Sequence, residues 1–182
     1  MMDLIKNLKE ISLIKSLFLA ILGTVLLALS AKIKIPFWPV PMTMQTFVVL
    51  LLGVLYGWKL GLFTVSLYLI EGIAGLPVFA VTPEKGIGWM YFTGTTMGYL
   101  IGFLVSVSLS GFFTFGNNFL KNFLKLLFSV SFIYIFGLIW LGSIIGWDKP
   151  VFELGAKPFL LAELMKVLIL TILIPKILKS KS

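Results

Sequence analysis

Six apolar segments follow one another along this chain, and each is close to the length that a helix needs to cross a lipid bilayer. Such a helix takes about 20 predominantly apolar residues, with a range of roughly 17 to 25. The predicted spans lie near residues 14–31, 44–58, 60–79, 90–113, 121–141 and 159–178. The composition agrees, because 59% of the 182 residues are hydrophobic and only 12% are charged, a charged share about half that of a soluble domain. The sequence therefore predicts an all-α polytopic membrane protein, a six-transmembrane-helix bundle that forms a single domain over residues 1–182.

The N-terminal stretch MMDLIKNLKEISLIK alternates apolar with charged side chains and precedes the first predicted span. No small-residue cleavage site follows it, so a cleaved signal peptide is not expected. The stretch predicts instead a short interfacial helix at about residues 3–13, which lies along the membrane surface and leads into the first span.

The lysines predict the orientation of the spans. Of the fifteen lysines, nine fall on the side of the two termini, five fall on the opposite side, and Lys166 lies within a span. Because cytoplasmic loops carry an excess of Lys and Arg, both termini are predicted to be cytoplasmic. The formal net charge of +8 is attributed to this flanking pattern, and no nucleic-acid partner is predicted.

Several kinds of chemistry are excluded by what the sequence lacks. Cysteine and histidine are absent, which excludes disulfides, thiolate chemistry and His-ligated metals, and no metal site is predicted. No Gly-x4-Gly-Lys-Ser/Thr phosphate loop occurs, so the chain has no P-loop with which to hydrolyse ATP. An intramembrane enzyme is disfavoured because no Asp lies within a span and no Ser accompanies Lys166 in the sixth span.

Polar side chains inside the predicted spans gather near one side of the membrane. Glu163 and Lys166 lie in the first two turns of the sixth span, and their spacing of three residues puts them on one helix face. The other candidates at this depth are Gln45, Glu71, Tyr91 and Thr93. A charged side chain in hydrocarbon costs at least ~2.5–3.5 kcal/mol, and a shared polar cavity beneath the outer loops explains the whole set.

The residue types in this set predict a small ligand that carries a carboxylate and hydrogen-bonding groups. Lys166 supplies a cation with three donors, while Glu163 and Gln45 supply acceptors. Trp38, in the rigid apolar loop IPFWPVP, is predicted to cover the pocket. A second interpretation stays open, in which Glu163 and Lys166 only neutralise each other and the pair has a structural role.

A stripe of small residues runs along the first predicted span. Its members, each four residues apart, are Ser16, Ala20, Thr24 and Ala28. Small side chains let another helix approach closely, so the stripe serves either packing inside the bundle or docking onto another membrane subunit. Sequence periodicity does not decide between these two roles.

Four stretches carry a resemblance to a known family: IPFWPVPMTMQT at 35–46, LYLIEGIAGLPVFA at 67–80, GTTMGYLIGF at 94–103 and KPFLLAELMK at 157–166. Together they resemble the BioY family, the biotin-specific substrate-binding subunits (S components) of energy-coupling factor transporters, over about residues 28 to 178. The chain departs from the family pattern Gly-Pro-Thr-Gly-Gly-Tyr-Leu, because Thr95 replaces Pro and Met97 replaces Gly. Glu163 stands where the family usually has Asp.

The resemblance implies a six-helix fold with a biotin site near the outer face, and no cofactor. It implies partnership with a transmembrane coupling subunit and two cytoplasmic ATPases in a bacterial cytoplasmic membrane, with the small-residue stripe as the docking face. By the same resemblance, Lys166 meets the biotin carboxylate or the ureido oxygen. Glu163, Gln45 and Glu71 serve the ureido N–H groups.

Other functions remain open from the residues themselves. The chain could be a self-sufficient carrier or an S component for a different small carboxylate-bearing vitamin or metabolite. It could also be a structural subunit that binds no ligand.

Overall fold

The computed structural model describes the backbone of residues 2–35, 39–40, 42–84 and 86–181, and the side chains of 12–34, 39–40, 42–84 and 86–179. Two strands, β1 (Lys34–Ile35) and β2 (Met42–Thr43), form a small antiparallel pair, and all other regular structure is helical. The helices are α1 (Met2–Lys32), α2 (Gln45–Ile73), α3 (Trp89–Phe92), α4 (Met97–Phe112), α5 (Phe119–Ile145), α6 (Val151–Gly155) and α7 (Leu160–Lys181), with a 3-10 turn at Lys157–Phe159 before α7. The predicted all-α fold class is thereby confirmed.

Helix α2 folds back on itself at Gly57. This residue has φ 74° and ψ 172°, a backbone conformation that is open almost only to glycine. The two arms, residues 45–56 and 58–73, lie side by side, because a Cβ on Gly61 would come within 3.6 Å of the Gly53 Cα. Gln45 and Tyr68, near the far ends of the arms, are joined by a hydrogen bond of 2.7 Å. The two predicted spans 44–58 and 60–79 therefore correspond to two antiparallel helices.

Four of the described helical segments are long and apolar enough to cross a membrane: Ser12–Lys32, Gln45–Ile73, Phe119–Ile145 and Val151–Lys179. Helix α4 is a shorter apolar helix. Large apolar side chains such as Phe18, Phe63, Phe128 and Ile172 are exposed on the outside of the bundle, as expected for a surface that contacts lipid. The number of crossings, six, stays a prediction, as does the surface location of residues 3–13, which are part of α1.

Two predicted helix bounds are wrong. The predicted span 60–79 ends at Ile73 in the structure, where Gly75 with φ 103° and Pro77 follow. The predicted span 90–113 is interrupted between α3 and α4. Gly94, a poor helix former, lies in the break, and the hydroxyl of Thr95 donates to the carbonyl of Pro39 on a distant segment.

Close contacts between α4 and α5 bring the parts of the bundle around the site together. A Cβ on Gly102 would lie 2.6 Å from the Ile133 Cα, so glycine is required for this approach. The same holds at Gly53, where a Cβ would lie 2.7 Å from the Val107 carbonyl oxygen. Arm 45–56, α4 and α5 therefore pack tightly, and α7 closes the group by its contacts with α5 and α2.

Candidate functional site

A cavity lies between α2, α4, α5 and α7, at the end of the bundle away from the Gly57 turn. Its volume is about 570 Å³, including the part that is open to solvent. The apolar lining residues are Val40, Met42, Ala80, Leu100, Phe103, Ile133 and Phe159. The polar lining residues are Thr43, Gln45, Thr46, Tyr91, Thr96, Tyr99, Tyr134, Glu163 and Lys166. An apolar pocket with a few converging polar groups is typical of a small-molecule site.

The ammonium group of Lys166 is buried at the cavity wall and points toward the start of α2. It donates to the Thr43 carbonyl oxygen at 2.6 Å, to the Thr46 hydroxyl at 3.0 Å and to Glu163 Oε2 at 3.4 Å. The residue is 7% exposed. Three partners match the three donors of an ammonium group, so the charge is fixed in place across a sequence separation of 120 residues and more.

The carboxylate of Glu163 is held from one side only. Its Oε2 accepts from the Tyr134 hydroxyl at 2.7 Å and from Lys166 at 3.4 Å. Its Oε1 is buried and has no hydrogen-bond partner among the residues that the structure describes. Glu163 sits in the first turn of α7, where a negative charge is favoured by the helix dipole. The cavity therefore contains an ionic acceptor with one oxygen to spare.

Gln45 opens α2 and is fixed by contacts on both sides. The Thr43 hydroxyl accepts from the Gln45 backbone N–H and donates to its Oε1, both at 3.3 Å. Its Nε2 donates to the Tyr68 hydroxyl at 2.7 Å, and that hydroxyl donates to the Val78 carbonyl at 3.0 Å. Gln45 therefore joins the cavity floor to the loop that follows α2.

That loop lines one side of the cavity through Ala80, and the neighbouring Phe79 ring holds the loop in place. The Phe79 ring stacks on Tyr91 at 5.1 Å and meets Tyr68 edge-on at 5.4 Å. It occupies the space that a Cβ on Gly72 would need. The ammonium of Lys32, at the end of α1, donates to the carbonyls of Phe79 and Thr82 and to the Thr82 hydroxyl, each at 3.1 Å. The loop is thus fastened both by ring packing and by a cation.

A second fastening joins the two loops at the mouth of the cavity. The Thr95 hydroxyl, between α3 and α4, donates to the Pro39 carbonyl oxygen at 3.2 Å. Proline at position 95 could not make this bond, because it carries no hydroxyl. The hydroxyl at position 95 therefore joins the segment between α3 and α4 to the segment at Pro39.

Comparisons with known proteins agree with this geometry. A sequence model described as the BioY family matches residues 3–182. The chain belongs to the BioY family. A probable biotin transporter BioY from Pyrococcus horikoshii is 35% identical over 87% of this chain and 89% of its own length. The biotin transporter BioY of Thermotoga maritima is 32% identical over 80% of this chain and 85% of its own.

A solved structure shares the fold of this BioY-family chain. The crystal structure of the S-component for biotin from an ECF-type ABC transporter matches with a TM-score of 0.78 and 26% identity, over 92% of this chain and 93% of the other. The predicted family and the S-component type of fold are thereby confirmed. The chain is a multi-pass membrane protein.

Four of the seven predicted ligand-binding residues meet in the cavity of this BioY-family chain. They are Gln45, Tyr91, Glu163 and Lys166. The structure does not bring the next two to it. Glu71 interacts with Thr24 on α1, and the Thr93 hydroxyl bonds back to the carbonyls of its own turn. Trp38 lies outside the described residues.

The small-residue stripe of α1 packs inside the bundle at its centre. Ala20 is 0% and Thr24 is 2% exposed, while Ser16 and Ala28 are partly exposed. The two central residues of the predicted docking face are therefore covered by this chain's own helices, and a docking role for the stripe stays a prediction. The two residues are covered because small side chains permit close approach of any helix, and here α2 is the neighbour.

Among the cavity residues that were not predicted from the sequence are Thr43, Thr46 and Tyr134. The two threonines lie within the stretch MTMQT that carries the family resemblance, and that stretch was the available signal. Tyr134 stands in the interior of the predicted span 121–141, where a membrane-interface position does not account for a tyrosine. A hydroxyl in the middle of a span needs a hydrogen-bond partner, and this was the signal that could have identified Tyr134 as a site residue.

Proposed function

We propose that this chain is the substrate-specificity subunit of an energy-coupling factor importer and captures biotin. One observation carries the proposal: a buried ammonium group and a buried carboxylate, one oxygen of which has no partner among the described residues, line the same cavity as Gln45. Relatives described as biotin transporters and a neighbour described as an S-component for biotin support the choice of ligand. Membership of this family indicates transport rather than enzymatic catalysis.

The cavity offers a partner for each part of biotin. The ureido ring presents N–H donors and one carbonyl oxygen, and the side chain ends in a carboxylate. Glu163 Oε1 has no hydrogen-bond partner in the part of the chain that the structure describes, so it suits a ureido N–H group, and the Gln45 amide lines the same cavity. Lys166 then serves the ureido oxygen or the carboxylate by exchanging one of its present bonds. Phe103, Phe159 and Ile133 offer apolar contact for the rest of the ligand.

Energy for import is proposed to come from partner subunits. The sequence contains no phosphate loop, and the solved neighbour is described as a component of an ECF-type ABC transporter. The proposed partners are a transmembrane coupling subunit and two cytoplasmic ATPases. The proposed setting is a bacterial cytoplasmic membrane. Both termini are proposed to lie inside the cell, because the distribution of lysines favours that orientation.

A calorimetric titration tests the ligand. The full chain is expressed in biotin-depleted cells, purified in detergent or nanodiscs and titrated with biotin, with lipoate as a carboxylate-bearing comparison. Saturable binding at micromolar biotin, with lipoate much weaker, is the expected result. Absence of heat with biotin would contradict the proposal. Tighter binding of lipoate would mean that the chain is specific for another vitamin.

An uptake experiment tests the energetics. Cells that cannot make biotin receive this chain alone, or this chain with a coupling subunit and its ATPases. Labelled biotin should accumulate strongly only with the complete set. Equal accumulation in both cases would mean that the chain is a self-sufficient carrier.

A further inference from the structure

The two oxygens of the Glu163 carboxylate differ in their hydrogen bonds. The hydrogen bonds from Tyr134 and from Lys166 both go to Oε2. Oε1 is buried and has no partner among the described residues. Leaving a buried charged acceptor unpaired is costly, and a carboxylate that could rotate would turn its second oxygen toward a donor. A neighbouring group must therefore prevent the Glu163 carboxylate from rotating.

The hydroxyl of Tyr134 is placed to prevent this rotation. Its hydroxyl lies 2.7 Å from Oε2, a shorter distance than the 3.4 Å from the Lys166 ammonium. Bonds between a hydroxyl and a carboxylate are short and strong when well aligned. The Lys166 ammonium donates at shorter distances to Thr43 and Thr46, and its contact with Glu163 is the longest of the three, so it attracts the carboxylate without fixing which oxygen faces it.

The Tyr134 ring is itself braced by the helix beside it. It packs edge-on against Tyr99, with ring centroids 6.2 Å apart and an interplanar angle of 90°. The Tyr99 hydroxyl donates to the Gly155 carbonyl oxygen at 2.8 Å. A Cβ on Gly137 would overlap the Tyr99 ring, so that ring sits directly on α5. The chain of contacts runs from Gly155 through Tyr99 and Tyr134 to Glu163.

We propose that Tyr134 is a positioning residue for ligand recognition. By holding Oε2 together with Lys166, it keeps Oε1 available as an acceptor for an N–H group of the ligand. Without its hydroxyl, the carboxylate is free to rotate and to pair both oxygens with Lys166, which removes the acceptor from the cavity. The inference rests on the proposed binding of biotin.

The test compares Tyr134→Phe with Tyr56→Phe in the full chain in nanodiscs. Tyr56 is a matched control because its hydroxyl also makes one bond, to the Leu19 carbonyl at 3.0 Å, but it does not line the cavity. Biotin affinity of Tyr134→Phe should fall by about tenfold, as expected for the loss of a bond to a charged group. Tyr56→Phe should bind as the wild type does. Thermal unfolding of both variants reports any general loss of stability.

An infrared measurement separates positioning from packing. The carboxylate stretching band of Glu163 is assigned from the difference between wild type and Glu163→Gln, without ligand. Tyr134→Phe should shift this band and Tyr56→Phe should not. If Tyr134→Phe does not fold, Tyr99→Phe replaces it, and a smaller loss of affinity with a smaller band shift is expected.

The outcomes distinguish the two proposals. If the wild type does not bind biotin, the proposed function fails. If the wild type binds biotin and Tyr134→Phe binds it equally well, the positioning role fails, whether or not the band shifts. An unshifted band also overturns it, because the hydroxyl would then not act on the carboxylate.

Discussion

Two Glu–Lys pairs lie close together in the chain and behave differently. Glu153 and Lys157, just before α7, are 2.9 Å apart, and their side chains are 57% and 60% exposed. Glu163 and Lys166, inside α7, are 3.4 Å apart, and their side chains are only 7% and 8% exposed. The shorter pair is in water, which screens it, and such pairs typically contribute about 0–1 kcal/mol. Burial, rather than the distance between the charges, therefore decides which pair matters.

Lys32 stands between these extremes. The residue is exposed, yet its ammonium group makes three hydrogen bonds to the loop that covers the cavity. Lysine-to-methionine substitutions at the three positions keep a long apolar side chain and remove only the charge. Together they test whether the effect of removing each charge increases with the burial of the lysine and with its hydrogen-bond partners.

The largest effect is expected for Lys166→Met. Biotin affinity should fall by roughly tenfold or more, because hydrogen bonds to charged groups are the strong ones. The protein should also lose stability, by about 3–5 kcal/mol if the remaining buried Glu163 stays charged. Isothermal titration and thermal unfolding in the same detergent measure the two losses. Unchanged affinity here would mean that the buried pair is only structural.

The next effect concerns the pair as a unit. Adding Glu163→Gln to Lys166→Met removes the unpaired charge, so thermal stability should return most of the way to that of the wild type. Biotin binding should stay weak, because neither charged partner is restored. A double variant no more stable than Lys166→Met would contradict the view that an isolated buried carboxylate is the source of the loss.

A smaller effect is expected for Lys32→Met. Loss of its three bonds should loosen the loop around Phe79 and raise the rate of biotin release by roughly three- to tenfold. Thermal stability should change little. Dissociation of labelled biotin into an excess of unlabelled biotin gives the rate. Lys34→Met is the control, because its contact with Glu84 is 3.9 Å long and the Glu84 side chain is 63% exposed. Equal rates in both variants would refute the fastening role.

The smallest effect is expected for Lys157→Met. Biotin affinity should stay within about twofold of wild type, and stability should change by no more than ~0.5 kcal/mol, because an exposed i,i+4 pair contributes little. The measurements are those used for Lys166→Met. A loss comparable with that of Lys166→Met would show that burial does not rank the two pairs.

The sequence by itself determined the class of protein and the side of the membrane near which the site residues gather. Runs of apolar residues as long as a bilayer is thick leave little choice but helices that cross it, because backbone groups must bond within each segment in lipid. The spacing of Glu163 and Lys166 put both on one helix face, and the structure brings both into the cavity with Gln45 and Tyr91. These inferences depend on neighbours in the chain, which a sequence records directly.

The tertiary structure decided which way each helix face turns. Periodicity places Ala20 and Thr24 on one stripe and Glu71 on one turn, but only packing showed that the stripe is covered and that Glu71 meets Thr24. The bond from Tyr134 to Glu163 spans 29 residues and the bond from Lys166 to Thr43 spans 123. The rotation of a helix about its own axis is set by the side chains of its neighbours in the bundle, and no local pattern in the sequence encodes it.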